Sequence, residues 1–208
     1  MKAFTDVNSK LNRYANLLMD LFLLNMLFII TSLPIMTIGS GLISLSSVSI
    51  EMIEGRVNSP SKSYISHFKH NLTRGILIQF FLMSILIILF SSSRLLFILP
   101  TISFVLVGTG LILGVIIYSF LCLYIFSYSA RYENSFKGSL KVAFQLSMSH
   151  LKESFTMILV ILTVISLGSL NIFWASLISF FFFFIGFSFS SLLNATITLK
   201  VFNQYTES

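Results

Sequence analysis

Four stretches of this chain contain no charged residue: Leu21–Ile50, Gly75–Ser93, Leu95–Ala130 and Ser154–Leu199. A helical crossing of a bilayer needs about 20 residues. The last stretch is too long for one crossing and suits two. Its break is expected at Gly168-Ser169-Leu170-Asn171, with Trp174 beside it as an interface anchor or a lipid-facing ring. The first stretch divides at Pro34. Proline suits the first turn of a new helix, where its missing N–H has no partner in any case. The pattern predicts helices over 14–33, 35–54, 75–93, 100–130, 154–170 and 173–197. A re-entrant first pair that never crosses is the alternative for 14–54. From Pro100 to Ala130 an ideal helix runs about 46 Å against roughly 30 Å of hydrocarbon, so it should tilt, bend near its glycines or protrude.

Composition turns this pattern into a class. Of 208 residues, 56% are hydrophobic and 10% charged, with a mean hydropathy of +0.94. Soluble domains carry about 25% charged residues. The chain reads as an all-α, polytopic membrane helix bundle, one integral membrane domain over 1–208. The net charge of +6 would suggest nucleic acid in a soluble protein. Here it reflects the Lys/Arg excess of cytoplasmic segments, and no nucleic-acid partner is expected. One cysteine, Cys122, excludes an intrachain disulfide and a thiolate cluster. No cleaved signal peptide is expected, because the apolar stretch continues too far and no small-x-small site follows it.

The positive-inside rule orients the spans. With six crossings and a cytoplasmic N-terminus, Lys2, Lys10, Arg13, Arg56, Lys62, Lys69, Arg74, Arg131, Lys137, Lys141, Lys152 and Lys200 all lie inside. Only Arg94 lies outside. Both termini are then cytoplasmic, and the turn at Pro34 is an outer turn. A re-entrant first pair leaves the same inside assignments. Two inner loops carry apolar stripes: Tyr64, Phe68 and Leu72 in 59–74, and Phe136, Leu140, Phe144, Leu151 and Phe155 in 134–155. Both read as amphipathic helices that lie along the membrane, dock on the bundle or receive a partner. His67–Thr73 parallels His150–Thr156 at an offset of 83 residues, as a parallel repeat or by chance.

Little inside the spans suggests chemistry. Asp20, near Asn16 and Asn25, is the one charge well within a span, either in a polar path or at headgroup depth. Glu51 and Glu54 share a face near the end of the second helix, with Arg56 and Arg131 as candidate partners. Paired carboxylates can do acid–base work or bind metal, but no histidine stands at a ligand-like spacing. His67, His70 and His150 read as surface groups. The second helix holds Gly39, Ser40, Gly41, Ser44, Ser46, Ser47 and Ser49, and the fourth holds Gly110-x-x-x-Gly114. Such small residues allow close helix contact in lipid; a polar lining for a solute is the sharper reading. Ile38, Leu42 and Leu45 would form the apolar face of the second helix. The run Phe180–Phe184 surrounds its helix and should partly meet lipid. No nucleotide-binding loop, zinc-protease helix or serine elbow occurs, so no enzyme and no cofactor is expected.

Three motifs stand in order: Leu33-Pro34-Ile35-Met36-Thr37-Ile38-Gly39, Phe68-Lys69-His70-Asn71 and Ala130-Arg131-Tyr132-Glu133-Asn134-Ser135. They resemble the signatures of the YesL-like family, also called domain of unknown function family 624. The resemblance implies a bacterial multi-pass protein of the cell membrane whose genes often neighbour carbohydrate ABC transporter and sensor-kinase genes. It therefore implies an accessory or regulatory role in carbohydrate uptake, with an ABC permease or a sensor kinase as partner besides membrane lipids. A small transporter or channel is the alternative. The signature turn is Pro34, Thr37 and Gly39. The candidate interaction or structural cluster is Glu51, Glu54, Arg56, Arg131, Glu133 and Asn134. There Glu133 would pair with Arg131 or Arg56, and Asn134 would cap the following helix.

Overall fold

A computed structural model describes residues 2–96 and 100–207, with side chains over 12–94, at 96 and 100, and over 103–202. The side chains of Lys2 and Lys10 fall outside these. Every regular element among the described residues is helical. The order is α1 (Lys2–Ser32), a 3-10 turn (Ile35–Thr37), α2 (Ile38–Ile53), α3 (Pro60–His70), α4 (Leu72–Leu95), α5 (Thr101–Arg131), α6 (Phe136–Ser149), α7 (Leu151–Leu170), α8 (Ile172–Phe181), a π turn (Phe182–Gly186) and α9 (Phe187–Glu207). α8, the π turn and α9 run on as one rod. Six segments are long and apolar enough to cross a membrane: Asn12–Ser32, Ile35–Ile53, Leu72–Arg94, Ser103–Arg131, Leu151–Leu170 and Ile172–Phe202. The chain is a multi-pass membrane protein.

Local chemistry explains the element ends. α2 stops at Gly55, which takes the left-handed conformation at φ +68°. Gly55 N–H bonds Met52 O at 3.3 Å and Arg56 N–H bonds Glu51 O at 2.9 Å, so two terminal carbonyls are satisfied. Pro60 opens α3 at its first turn. The expected break near Gly168–Asn171 falls at Asn171, whose side chain accepts the Trp174 N–H at 3.0 Å and starts α8. α5 runs unbroken through its glycines.

The path of α2 settles which end of the bundle holds the Pro34 turn. Ser40 Oγ donates to Leu72 O at 2.8 Å, beside the first turn of α4. Ser47 Oγ reaches Ala130 O at 3.3 Å, in the last turn of α5. Glu54 meets Arg131. Arg74 bonds Ser129 O and Tyr132 O, so the first turn of α4 and the last turn of α5 lie at one end. From Leu72 the 24-residue α4 extends about 35 Å away from that end. Both ends of α2 therefore sit at the same end of the bundle, and α2 lies across it. This is the path of the re-entrant alternative. The Pro34 turn is not opposite Arg74, as an outer turn would be; three residues after the turn, Ser40 touches the entry of α4. α3 returns along α2, with Tyr64 packed among Leu24, Phe28, Leu45 and Val48.

Burial follows the same plan. Eleven of the 16 residues of α2 are buried. Its Ile43 joins the main core with Ile78, Leu82, Tyr124, Ile125, Leu146 and Phe202. Ile38, Leu42 and Leu45 do not form a single buried face, because α2 is enclosed nearly all round. Two stripe expectations also change. On α6 the buried face is Ser139, Ala143, Leu146 and Ser147, whereas Phe144, and Phe155 on α7, are exposed. Small residues let α6 approach α5, Phe144 turns outward, and Phe136 packs edge-on against Phe81. Of the α5 pair, Gly114 faces Leu89, but a Cβ at Gly110 would meet nothing within 4 Å. The repeat is out of register as well. Asn71 joins α3 to α4, while its partner at 83 residues, Ser154, lies inside α7; the equivalent joint is His150.

Candidate functional site

The end of the bundle crossed by α2 gathers most of the polar chemistry. Glu51, in the last turn of α2, receives Ser63 Oγ at 2.5 Å and His67 Nε2 at 2.8 Å from α3. Its carboxylate lies between hydroxyl and imidazole. Nucleophile activation needs the imidazole against the hydroxyl, so this set fastens α3 and is not a catalytic order. His67 is thus half-buried in a hydrogen bond to Glu51 rather than a free surface group. Glu54 takes Arg56 on one side and Arg131 Nη1 at 3.4 Å on the other. The Arg131 guanidinium also lies over the rings of Tyr132 and Phe202, 5.9 and 5.8 Å from their centroids. Glu133 pairs with neither arginine and stands 3.6 Å from His70, both side chains well exposed. Such exposed contacts stabilise little.

The Ala130–Ser135 segment is a stop-and-start joint. Tyr132 ends α5, its N–H bonding Tyr128 O at 3.0 Å. Ser135, not Asn134, caps α6, its hydroxyl accepting the Gly138 N–H at 3.2 Å. Asn134 instead donates to Tyr128 Oη at 2.9 Å and closes the joint on itself. The residue that binds this joint to the rest is Arg74. Its guanidinium donates to Ser129 O at 3.3 Å, Tyr132 O at 3.0 Å and Ser139 Oγ at 2.7 Å, thereby joining α4, α5 and α6. A basic group at the C-terminal carbonyls of α5 also suits the helix dipole. Arg74 Nε, Ser129 Oγ, Arg131 Nη1 and Tyr132 Oη are buried here without a protein hydrogen-bond partner, although Arg131 Nη1 keeps its ion contact to Glu54.

The signature turn has a steric meaning. Thr37 Oγ1 donates to Thr31 O at 2.6 Å and Pro34 O at 2.7 Å, which ties the turn to the end of α1. A Cβ on Gly39 would lie 2.4 Å from Gly75 O, and a Cβ on Gly75 would lie 2.4 Å from Ser40 Cα. α2 and α4 therefore cross backbone to backbone. Nearby, Thr31 shares a 2.7 Å hydrogen bond with Tyr64 Oη. Burial pushes the Tyr64 hydroxyl up to about 12, against the opposing pull of that bond.

A second polar lock lies deeper. Asn25 Nδ2 donates to Phe182 O at 3.0 Å and Phe183 O at 2.8 Å. Its Oδ1 accepts the N–H groups of Phe187 and Ser188 at 2.9 and 3.2 Å. The widened backbone of the π turn presents these four groups to α1, and one fully buried side chain bonds all of them. Asp20 is half-buried on α1 and makes no hydrogen bond or ion pair among the described residues. It is not joined to the serines of α2. Four of those five serines are engaged: Ser40 with Leu72 O, Ser44 with Ser40 O, Ser47 with Ile43 O, and Ser49 with Ser191. Among the described residues no three His, Cys, Asp or Glu side chains cluster as a metal would need.

Sequence reasoning passed over Arg74, Gly75, Ser63 and Asn25 as site residues. Asn25 carried a usable signal, since an amide inside an apolar run must find partners. Arg74 and Gly75 looked only like the start of a span. No curated protein and no solved structure matches the chain. Residues 21–93, which take in α2, α3, nearly all of α4 and the apolar half of α1, match the model of a family described as Protein of unknown function, DUF624, in agreement with the resemblance read from the motifs at Leu33–Gly39 and Phe68–Asn71.

Proposed function

We propose that the protein is an accessory or regulatory membrane component of carbohydrate uptake of the ABC type, resident in the cell membrane of a bacterium. The observation that carries this reading is the joint at the α2 end. The ion pairs of Glu54 and the exposed Glu133–His70 contact lie on an accessible rim at the ends of α2, α3 and α5. Such a rim suits docking to a permease or a sensor kinase better than turnover of a substrate, and the protein is read as non-enzymatic. The basic residues favour a cytoplasmic position for this end: Arg56, Lys62, Lys69, Arg74, Arg131, Lys137, Lys141 and Lys152 all lie on α2–α3, α6 or the adjoining helix ends, and Arg94 lies at the far end of α4.

In-membrane photo-crosslinking from Glu133 and Arg56, with mass-spectrometric identification, tests the reading. Capture of a carbohydrate permease or a sensor kinase, with loss of sugar uptake on deletion, is the expected result. Sugar flux through liposomes holding this protein alone would favour the alternative, a small transporter. The serine-rich α2 is the feature that alternative rests on, but the hydroxyls of Ser40, Ser44, Ser47 and Ser49 are bonded within the bundle.

A further inference from the structure

The outward face of α6 is left over once packing is described. Ser139, Ala143, Leu146 and Ser147 face the bundle. Lys137, Lys141, Phe144 and Met148 recur at three- and four-residue spacing on the opposite face, and all four are exposed. Past His150 the strip continues into α7 with Leu151, Lys152 and Phe155, also exposed. Its apolar part runs directly into the outer surface of α7, a candidate span with only 11% of its residues buried in the bundle. Hydrocarbon that covers α7 therefore reaches Phe155, Leu151 and the Phe144–Met148 end of α6. That continuity sets α6 at the boundary between acyl chains and headgroups. The three ammonium groups then stand at headgroup depth on flexible stems. None has an acidic partner among the described residues.

We infer that Lys137, Lys141 and Lys152 form a binding strip for anionic phospholipid headgroups of the surrounding membrane. Phosphate oxygens would bridge Lys137 and Lys141, one helical turn apart, while Phe144 and Met148 hold the helix down beside the acyl chains. The inference does not depend on the carbohydrate reading.

Native mass spectrometry of the full chain, released from vesicles of mixed phosphatidylglycerol and phosphatidylcholine, provides the test. The wild type should retain phosphatidylglycerol preferentially. A Lys137→Gln/Lys141→Gln/Lys152→Gln variant should lose that preference by about tenfold or more, since each lysine near an anionic surface contributes about 1 kcal/mol. A Lys62→Gln/Lys69→Gln variant on α3, where Ile65 is the one large exposed apolar side chain, should keep it. Lys→Arg at the three α6–α7 positions should restore retention, which separates lost charge from lost fold. Equal retention of the two lipids by the wild type, or equal losses in the two glutamine variants, would overturn the inference.

Discussion

α2 and α5 invert the usual relation between hydropathy and burial. α2 is the least apolar of the six candidate spans, yet 11 of its 16 residues are buried. α5 is the most apolar, and only 6% of its most apolar 18-residue stretch is buried, the buried residues lying toward its last turns from Phe120 to Ser129. In water the apolar helix would be the core. In lipid, apolar surface gains nothing by leaving the acyl chains, so packing and hydrogen bonding decide which helix goes inside. The glycines and serines of α2 allow backbones to touch and hydroxyls to find carbonyls. The large apolar side chains of the first half of α5, among them Phe104, Leu106, Ile112 and Leu113, face outward against lipid.

The sharpest way to break this contrast is steric. Gly75→Val places a side chain against the backbone at Ser40 and should cost about 3 kcal/mol or more, read as loss of folded protein in a detergent unfolding assay. Gly110→Val on α5 meets open space and should change stability by less than about 0.5 kcal/mol. Equal effects would erase the distinction between the two helices. Next in size, Asn25→Leu strips four hydrogen bonds from the π turn and should cost about 2 kcal/mol, measured by thermal unfolding. Arg74→Gln should cost about 1.5 kcal/mol through the α4–α5–α6 joint. Arg94→Gln, which loses only a contact over Phe90, should be silent in the same assay.

How far this was legible in the sequence differs between regions. Uncharged runs located every long helix, because bilayer thickness imposes a length on them. Asn171 marked the α7–α8 break because capping is local. The path of α2 was not legible. Length and composition permit a crossing, and only the contacts of Ser40 and Glu54 with α4 and α5 place both its ends together. The charge rule was blind to this, since the Pro34 turn carries no charge. The motif at Ala130–Ser135 pointed to the right place but not to its hub. Arg74 does its bonding from another helix, at a sequence distance no spacing argument reaches.

Two smaller effects refine the picture. Ser47→Ala should cost about 0.6 kcal/mol, a typical interhelical bond in a membrane, whereas Ile112→Ala on the lipid face of α5 should cost less. Tyr64 supplies a pH effect. Its hydroxyl is raised from 10.0 to about 12 in the fold, so the folded chain holds that proton more tightly than the unfolded chain. Its contribution is complete below pH 10 and is lost as pH rises toward about 12. Alkaline unfolding monitored with Tyr64→Phe should lack that step.

The central claim is that α2 lies across one end of the bundle. A single cysteine in a Cys122→Ala background, labelled in intact membranes with an impermeant maleimide, tests it most directly. Met36→Cys sits on the exposed Pro34 turn, Lys137→Cys on α6 and Arg94→Cys at the far end of α4. Met36→Cys should label from the same side as Lys137→Cys and from the side opposite Arg94→Cys. Labelling of Met36→Cys together with Arg94→Cys would show that α2 crosses the membrane and would contradict the account.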